Sequence, residues 1–421
     1  MNAHQRLASI RETLPLLRVA RPPTVPGAER LARCYSIDDV ARHARRRLPR
    51  GARGYLESGG EGEYTLRRNR AAFDEFELLP QMPRDVSEVD TRTTVLGREI
   101  QLPFALSPVG APRMFHHEGE LAVARAARRA GIPYGLSSLG TCSIEALAAE
   151  TNSPLWYQLY MWGDRREARE AIRRAREAGF DALLFSVDTN VRSKREREKR
   201  AGLDLPHPHL SIETFLDGVL HPSWSWHFLT SETISFPNIG PADHRSREKL
   251  SDMFDGTVSW DDIAWIREMW EGPIVVKGVL APEEAIRAAE LGLDGVVVSN
   301  HGGRQLDHAP ATIDVLPGIV DAVGDRLEVL VDSGFRRGSD IVTALALGAR
   351  AVLLGRAHLY GLAAAGEAGV RHCIELLADE VRMTMALCGA TSVAELDRSL
   401  VRRREAPRSE PPHTQEAFIA Q

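Results

Sequence analysis

Few cysteines and no long apolar run occur in this sequence of 421 residues. The four cysteines, Cys34, Cys142, Cys373 and Cys388, are scattered without metal-ligand spacing. This pattern predicts reduced, mostly buried thiols in a cytosolic protein, and no metal site. No segment approaches the roughly 18 apolar residues that cross a bilayer, and the N-terminus lacks the apolar region of a signal peptide. We therefore expect any membrane contact to be peripheral.

Nucleotide-binding signatures and an excess of positive charge are also missing. The sequence contains neither a GxGxxG fingerprint nor a Walker-type loop, so it gives no case for a Rossmann site or an ATPase. The formal net charge of −5 argues against nucleic acid as a partner, because general nucleic-acid-binding domains are usually basic. Aromatic residues make up 6% and hydrophobic residues 43% of the chain, which suits a soluble α/β core.

From about residue 103 onward, short apolar runs alternate with amphipathic segments. We predict strands at Phe104–Ser107, Tyr134–Ser137, Trp156–Leu159, Ala182–Val187, Ile274–Val276, Gly295–Ser299, Val329–Val331 and Ala351–Leu354. Helical patterns lie between them, among others at Glu118–Ala130, Arg165–Ala178, Glu283–Leu291 and Asp340–Leu347. Eight short strands alternating with helices indicate an α/β fold, a parallel (β/α)8 TIM barrel, rather than an open sheet.

The predicted barrel covers residues 103–400. Residues 1–102 are predicted to form an N-terminal arm and a helical extension that packs on the barrel. A basic helix in this extension begins after Ser36 and ends near Leu48. Residues 401–421 are charged and rich in proline, which predicts a flexible tail.

One connection is far longer than the others. Roughly 85 residues separate the fourth and fifth strands, where a short loop is usual. We expect residues 190–270 to form a long loop and helix insert. Its segment Leu216–Phe236 contains paired tryptophans, Trp224 and Trp226. Two interpretations stay open, a lid packed over the barrel mouth or an element that docks at a membrane interface.

The stretch SNHGGRQLD, residues 299–307, directly follows the apolar run at Gly295–Val298. It delivers His301 and Arg304 at the carboxyl end of a predicted buried strand, where such barrels carry their chemistry. An imidazole accepts a proton near neutral pH, and a guanidinium grips a carboxylate through two hydrogen bonds. The intervening glycines leave room for a large planar group. The motif predicts acid–base chemistry on a small carboxylic acid beside a cofactor.

The ends of the last two strands have the composition of a phosphate site. Loops after the seventh and eighth strands commonly hold phosphate in these barrels. The candidates are Asp332, Ser333, Gly334, Phe335, Arg336, Gly355 and Arg356.

Other strand ends carry groups suited to a flavin and a substrate. Uncharged side chains that suit the edge of a heterocycle are Ser137, Gln158, Ser186 and Ser299. Lys277 is placed to stabilise negative charge on a reduced ring, with a simple ion pair as the alternative.

Further candidates surround the histidine. Asp188 is predicted to hold its imidazole, although a helix cap is the alternative. Arg304 and Arg195 are candidates for the substrate carboxylate, and Arg195 lies in a charged run where a solvated side chain is the alternative. Tyr55 and Tyr160 are candidate hydrogen-bond donors to substrate oxygens, with packing alone as the alternative.

From about Tyr35 to Leu396 the chain resembles the FMN-dependent L-2-hydroxy acid oxidase/dehydrogenase family, which includes glycolate oxidase, lactate oxidase and mandelate dehydrogenase. The motifs that carry the resemblance are YLESGGEGEYTLRRN (residues 55–69), PVG (108–110), QLY (158–160), KGV (277–279), SNHGGRQLD and GR (355–356). The segments HPSW (221–224) and DDIAW (261–265) look most like the respiratory L-lactate dehydrogenase branch.

The resemblance implies a role for each candidate. His301 would be the base and Asp188 its partner. Tyr55, Tyr160, Arg195 and Arg304 would contact substrate. The implied cofactor site comprises Pro108, Val109, Gly110, Ser137, Gln158, Ser186, Lys277, Ser299, Asp332, Ser333, Gly334, Phe335, Arg336, Gly355 and Arg356.

Three positions depart from the family pattern. Gly110 stands where several oxidases carry Ala, which opens space over the flavin. Leu139 stands where glycolate oxidase has an aromatic residue in the substrate pocket, and we assign Leu139 to the substrate site. Ser333 replaces a Gly in the phosphate loop.

The family likeness implies FMN-dependent oxidation of an L-2-hydroxy acid, lactate or larger, to the 2-oxo acid. Two electron acceptors stay open, a quinone reached through a membrane-docked insert or O2 in a soluble oxidase that releases hydrogen peroxide. Whether His301 removes the hydroxyl proton or the Cα proton also stays open. A homotetramer is implied, located in the cytoplasm, with the inner face of the cell membrane as the alternative.

Overall fold

The structure, a computed structural model, describes residues 28–161, 165–202, 211–239 and 255–404. The predicted N-terminal arm up to residue 27 and most of the predicted tail lie outside the described residues. Twelve strands occur in the described part of the chain: β1 Phe76–Leu78, β2 Thr93–Val95, β3 Arg98–Ile100, β4 Phe104–Leu106, β5 Tyr134–Ser137, β6 Leu155–Leu159, β7 Ala182–Ser186, β8 Ile274–Val279, β9 Gly295–Val298, β10 Glu328–Val331, β11 Ala351–Leu354 and β12 Val401–Arg403.

Strands β4 to β11 form a closed barrel in which every neighbouring pair is parallel and β11 pairs back to β4. This confirms the predicted (β/α)8 fold, and all eight predicted strands are present. The main difference is β8, which continues past the predicted end at Val276 to Val279 through an irregular register after Lys277. Lys277 therefore lies inside the strand rather than at its end.

Alternation along the strands determines which side chains enter the barrel. The interior is filled by an apolar layer that includes Trp156, Leu184, Val275, Val297 and Leu330. The intervening side chains pack outward against the helices in a second, larger apolar cluster. Because strand side chains repeat every two residues, the next inward position on each strand lies at the carboxyl end of the barrel. Those positions are Ser107, Gln158, Ser186, Lys277, Ser299, Asp332 and Gly355.

Helices surround the barrel and extend beyond it on the N-terminal side. The described helices are α1 Ala28–Leu31, α2 Ile37–Arg47, α3 Arg50–Glu57, α4 Tyr64–Ala71, α5 Gly119–Ala130, α6 Ile144–Glu150, α7 Arg165–Glu177, α8 Glu196–Arg200, α9 Ile212–Leu220, α10 Pro222–Thr230, α11 Asp262–Met269, α12 Pro282–Glu290, α13 Thr312–Val323, α14 Gly338–Ala346 and α15 Arg356–Cys388. The basic helix predicted after Ser36 is α2, and the Ser36 hydroxyl accepts a hydrogen bond from the Asp39 N–H at its start. Its buried face packs on α15.

Two small antiparallel sheets lie outside the barrel sheet. The hairpin β2–β3 contributes Val95 and Ile100 to the apolar layer inside the barrel. Strand β12 pairs antiparallel with β1, with Phe76 opposite Arg403. The prediction of a flexible tail from residue 401 is therefore wrong for its first three residues, because they complete a two-stranded sheet.

The insert after β7 contains four described helices, α8 to α11. Apolar side chains on two of them face solvent: Ile212, Phe215, Leu216, Val219 and Leu220 on α9, and Trp226, Phe228 and Leu229 on α10. Among the described residues, no helix combines the length and apolar character that a membrane crossing requires.

Candidate active site

A cleft of about 1100 Å³ opens at the carboxyl end of the barrel. Residues at or near the carboxyl ends of all eight barrel strands contribute to its wall, together with α3 residues Tyr55 and Leu56. Every residue predicted for the site lines this cleft except Asp188, Ser137 and Ser299. Those three lie directly behind the wall and hold residues that line it, as described below. The eight strand ends therefore converge on a single chamber.

His301 is held between a carboxylate and a phenol. Its Nδ1 lies 3.1 and 3.2 Å from the two carboxylate oxygens of Asp188, and its Nε2 lies 3.3 Å from the Tyr160 hydroxyl. Because a carboxylate only accepts, the Nδ1–H donates and the lone pair remains on Nε2. That lone pair is the atom able to receive a substrate proton.

Electrostatics favour the neutral imidazole. Burial lowers the pKa of His301, and this effect outweighs the raising influence of Asp188. The pKa of Asp188 is lowered because attraction to His301 and a hydrogen bond from it overcome the effect of burial. Asp188 therefore stays ionised and His301 stays able to accept a proton near neutral pH.

The loop that presents His301 has an unusual backbone. His301 itself has a positive φ of 58°, a left-handed conformation that is rare for residues other than glycine. Side-chain amides fix this turn, since Asn69 and Asn300 donate to each other at 2.8 and 2.7 Å. The Gly60 N–H donates to Gly303 O at 2.8 Å, and a Cβ on Gly60 would lie 2.4 Å from Gln305 O. This contact explains the glycine pair in the ESGGEG segment.

Two arginines share a buried carboxylate that the sequence analysis missed. Glu198 lies 2.9 Å from Arg304 and 3.6 Å from Arg195, and its side chain is only 4% exposed. Arg304 also donates to the Tyr55 and Ser58 backbone carbonyls, whereas Arg195 makes only long contacts of 3.3 and 3.4 Å. Burial, and then the nearby Arg304, lowers the pKa of Arg195 to about 10. Arg195 is thus the arginine with more free donors toward the cleft.

The signal for Glu198 is present in the sequence but ambiguous. It lies three residues after Arg195 in the run REREKR, residues 195–200, where every residue is charged. Nothing in that local pattern separates the buried carboxylate from its exposed neighbours.

Polar side chains behind one wall form two chains of hydrogen bonds. Ser137 donates to Gln158 at 2.8 Å, and Gln158 donates to Ser186 at 3.1 Å. Lys277 donates to Ser299 at 2.7 Å and forms an ion pair with Asp332 at 2.7 Å. Ser137 and Ser299 therefore orient Gln158 and Lys277 rather than facing the cleft.

Arg356 lines the cleft as a cation without a carboxylate partner among the described residues. Its guanidinium donates to three backbone carbonyls, of Leu56, Gly302 and Ser58, at 2.7 to 2.9 Å. No carboxylate of the described residues forms an ion pair with it. Burial, followed by repulsion from Arg304, lowers its pKa to about 9.

An anion is needed to complete this end of the site. Ser333 and Gly334 both have positive φ, and the N–H groups of Gly334 and Phe335 have no acceptor among the described residues. Free backbone N–H groups and an uncompensated guanidinium are the donors that bind a phosphate. The residues present therefore fit FMN, whose phosphate would lie near Arg356 while Gln158 and Lys277 flank the ring.

Tyr55 and Leu139 crowd the space beside Gly110. A Cβ on Gly110 would lie 3.0 Å from the Leu139 Cβ and 3.3 Å from the Tyr55 hydroxyl. The glycine therefore keeps room where Tyr55 and Leu139 come together.

The fold and the site define a (β/α)8 oxidoreductase whose cleft offers donors for a phosphate-bearing cofactor and an imidazole able to accept a proton. A family model described as FMN-dependent dehydrogenase matches residues 44–403, and the chain belongs to that family. The predictions of FMN as cofactor and of a 2-hydroxy acid dehydrogenase are confirmed.

Named relatives cover most of the chain. A putative L-lactate dehydrogenase of Mycobacterium tuberculosis is 43% identical over 397 residues, 94% of this chain and 96% of that protein. An L-lactate dehydrogenase of a Caulobacter species is 41% identical over 377 residues, 88% of this chain and 99% of that protein.

Solved structures share the architecture. The monotopic membrane protein (S)-mandelate dehydrogenase has a TM-score of 0.85 and 38% identity, and covers 88% of this chain and 100% of its own. A mandelate oxidase solved with (S)-2-phenylpropionate has a TM-score of 0.75 and 39% identity, with coverages of 88% and 98%.

Proposed function

We propose that this enzyme oxidises an L-2-hydroxy acid with an apolar side chain, lactate or larger, and passes the electrons to a membrane quinone. The observation that carries the proposal is the unprotonated Nε2 of His301, which faces a cleft containing two arginines. The names of the relatives, which include lactate and mandelate dehydrogenases, support this substrate class.

Arg195 and Arg304 bind the substrate carboxylate and thereby fix the position of the reacting carbon. Tyr55 and Tyr160 contact substrate oxygens, and Leu139 borders the substrate side chain. His301 takes one proton from the substrate on Nε2, and the ionised Asp188 stabilises the resulting imidazolium. FMN, when bound, supplies a ring that accepts the two electrons. The proton that His301 takes comes from either the hydroxyl or Cα.

The cofactor contacts are part of the same proposal. Lys277 supplies positive charge beside the ring, and Gln158 and Ser186 bind its polar edge. The backbone around Pro108, Val109 and Gly110 faces the ring. The ribityl-phosphate end is held by Asp332, Ser333, Gly334, Phe335, Arg336, Gly355 and Arg356.

The test is an anaerobic titration of the FMN-loaded enzyme with a panel of 2-hydroxy acids, followed by bleaching of the flavin absorbance. We expect L-lactate or a larger L-2-hydroxy acid to bleach the wild type. His301→Ala should remain yellow and folded but be reduced at least 100-fold more slowly, roughly the lower limit for removing a general base. Rapid bleaching of that variant, or bleaching by no member of the panel, would contradict the proposal.

The exposed apolar side chains of α9 and α10 support quinone as the acceptor, because they give the predicted insert of residues 190–270 an apolar outer face. The rival is a soluble oxidase that uses O2. Comparing hydrogen peroxide release with reduction of a soluble quinone in the same assay separates them. Peroxide at the full rate of substrate oxidation would refute the quinone assignment.

Location and assembly belong to this proposal as well. A quinone reductase of this kind would work at the inner face of the cell membrane, attached through α9 and α10. The family likeness supports a homotetramer, and light scattering of the purified enzyme measures its mass directly.

A further inference from the structure

A second, smaller pocket lies under helix α10. Its wall combines the carboxyl end of α2, the loop after β4 and the inner face of α10. Phe115 lines both this pocket and the active-site cleft, so the two are neighbours. Apart from Phe115, no residue of this pocket lines the active-site cleft. The proposed reaction therefore gives the pocket no role.

Three imidazoles are stacked in the pocket. The ring centroids of His116 and His117 are 4.3 Å apart, and those of His117 and His227 are also 4.3 Å apart with the rings within 11° of parallel. The Trp224 Nε1–H donates to Met114 O at 2.9 Å and fastens α10 beside the stack. The Nδ1 of His117 is buried and has no hydrogen-bond partner among the described residues. A buried ring nitrogen without a partner still has a hydrogen bond to make.

The charges facing the pocket are mostly positive. The Arg47 guanidinium is partly buried and forms no hydrogen bond or ion pair within the described residues. Arg113 donates to Glu232 O and lies 3.9 Å from the Glu232 carboxylate, which is 94% exposed. Glu118 lies 3.7 Å from His116, but Arg125 binds its other oxygen. Two guanidiniums thus face the pocket opposite a single, solvated carboxylate.

This arrangement disfavours a metal ion. Donor atoms of His116, His117 and Glu118 lie within 4.8 Å of one another. The stacked rings of His117 and His227, however, direct their lone pairs along parallel planes rather than at a common point. Arg47 and Arg113 line the same pocket and would repel a cation.

We propose that this pocket binds a phosphate group, held by Arg47 and Arg113 with an N–H of His117. The shared chemistry is that of a phosphate ester or inorganic phosphate, since a guanidinium fork and an imidazole N–H match its oxygens. Two sources supply it, the headgroup of an anionic phospholipid or a free soluble phosphate. The exposed apolar faces of α9 and α10 lie on the same insert as His227, which makes the headgroup the first source to test.

Calorimetric titration of the FMN-loaded enzyme with inorganic phosphate tests the site. We expect saturable binding to the wild type and binding at least about tenfold weaker in Arg47→Gln, since one charged hydrogen bond is lost. Arg46→Gln is the matched control, because Arg46 is the exposed neighbour on the same helix. His117→Phe preserves the ring stack and removes the nitrogen, so it tests the site if Arg47→Gln folds poorly.

Co-sedimentation with vesicles distinguishes the sources. Binding to phosphatidylglycerol vesicles that is stronger than to phosphatidylcholine vesicles, weakened in Arg47→Gln and competed by inorganic phosphate, identifies the headgroup. If calorimetry detects phosphate binding but the protein shows no preference for phosphatidylglycerol vesicles, the natural ligand is a free phosphate. Equal phosphate binding by wild type, Arg47→Gln and His117→Phe would overturn the proposal, as would Zn²⁺ binding that needs His117 in a protein that binds no phosphate. Flavin bleaching by 2-hydroxy acids should persist in Arg47→Gln, so failure here is separate from failure of the proposed reaction.

Discussion

His301 combines a strained backbone conformation with a side chain that is neutral near neutral pH. Its left-handed φ directs the imidazole toward Asp188 and Tyr160. The hydrogen bonds between the Asn69 and Asn300 amides stabilise this strained backbone conformation. Because burial lowers the pKa of His301, the folded protein binds a proton there less readily than the unfolded chain.

This gives a prediction for pH. The rate of flavin reduction by substrate should be flat above pH 6.5, the ordinary histidine pKa, and fall at lower pH as His301 becomes protonated. The stability contributed by the neutral imidazole has the same sign, present above 6.5 and lost as pH falls through the depressed pKa. Anaerobic stopped-flow measurements across pH check the rate. A rate that rises on acidification would contradict His301 as the base.

Glu198 is the residue whose role only its neighbours reveal. We predict that Glu198→Gln raises KM for the 2-hydroxy acid more than it lowers kcat, because Arg304 and Arg195 lose the carboxylate that positions them while His301 is untouched. Stability should fall by about 3 kcal/mol, as for other broken buried ion pairs. Steady-state kinetics and thermal unfolding measure both effects. Glu196→Gln, at a partly exposed carboxylate of the same helix that contacts neither Arg195 nor Arg304, is the control.

At the scale of elements, each barrel strand presents its inward residue at the carboxyl end, two positions beyond the apolar layer. Val275 therefore leads to Lys277 and Val297 to Ser299. This two-residue period made many of the residues that line the cleft predictable from the sequence. The same rule could not predict how far each side chain lies from the cleft. In the structure, Ser137 and Ser299 lie behind Gln158 and Lys277 rather than on the cleft wall.

The prediction at this scale concerns membrane binding through the exposed apolar side chains of helices α9 and α10. Replacing Trp226 and Leu229 together by serine should weaken co-sedimentation with neutral phosphatidylcholine vesicles by at least about tenfold, because two large apolar side chains no longer enter the bilayer. Leu387→Ser, at an exposed leucine on α15, is the control. Unchanged sedimentation of the double variant would assign the apolar face to another contact.

At the scale of the molecule, the barrel brings α3, the β9 loop and the start of α15 together around Arg356. That cation lacks a carboxylate partner among the described residues, so the folded protein gains stability when an anion binds there.

We predict that FMN raises the melting temperature of the apoprotein more than riboflavin does, since riboflavin lacks the phosphate. Arg356→Gln should remove most of that difference and leave the riboflavin effect in place. Thermal unfolding at saturating ligand measures it, with Arg350→Gln, at an exposed arginine, as the control. An equal FMN effect in wild type and Arg356→Gln would separate the phosphate from this residue.

By itself the sequence determined which strands form, that they close into a barrel and which residues follow each strand, because two-residue periodicity and turn signals act over short distances. Its sequence motifs, such as SNHGGRQLD, were also sufficient to identify the family. Only the tertiary structure decided that Glu198 is buried between two arginines, that Arg356 has no carboxylate partner in the described part of the chain, and that His116, His117 and His227 stack. These features join side chains from distant parts of the chain, and their energies depend on burial and neighbouring charge, which no local pattern encodes.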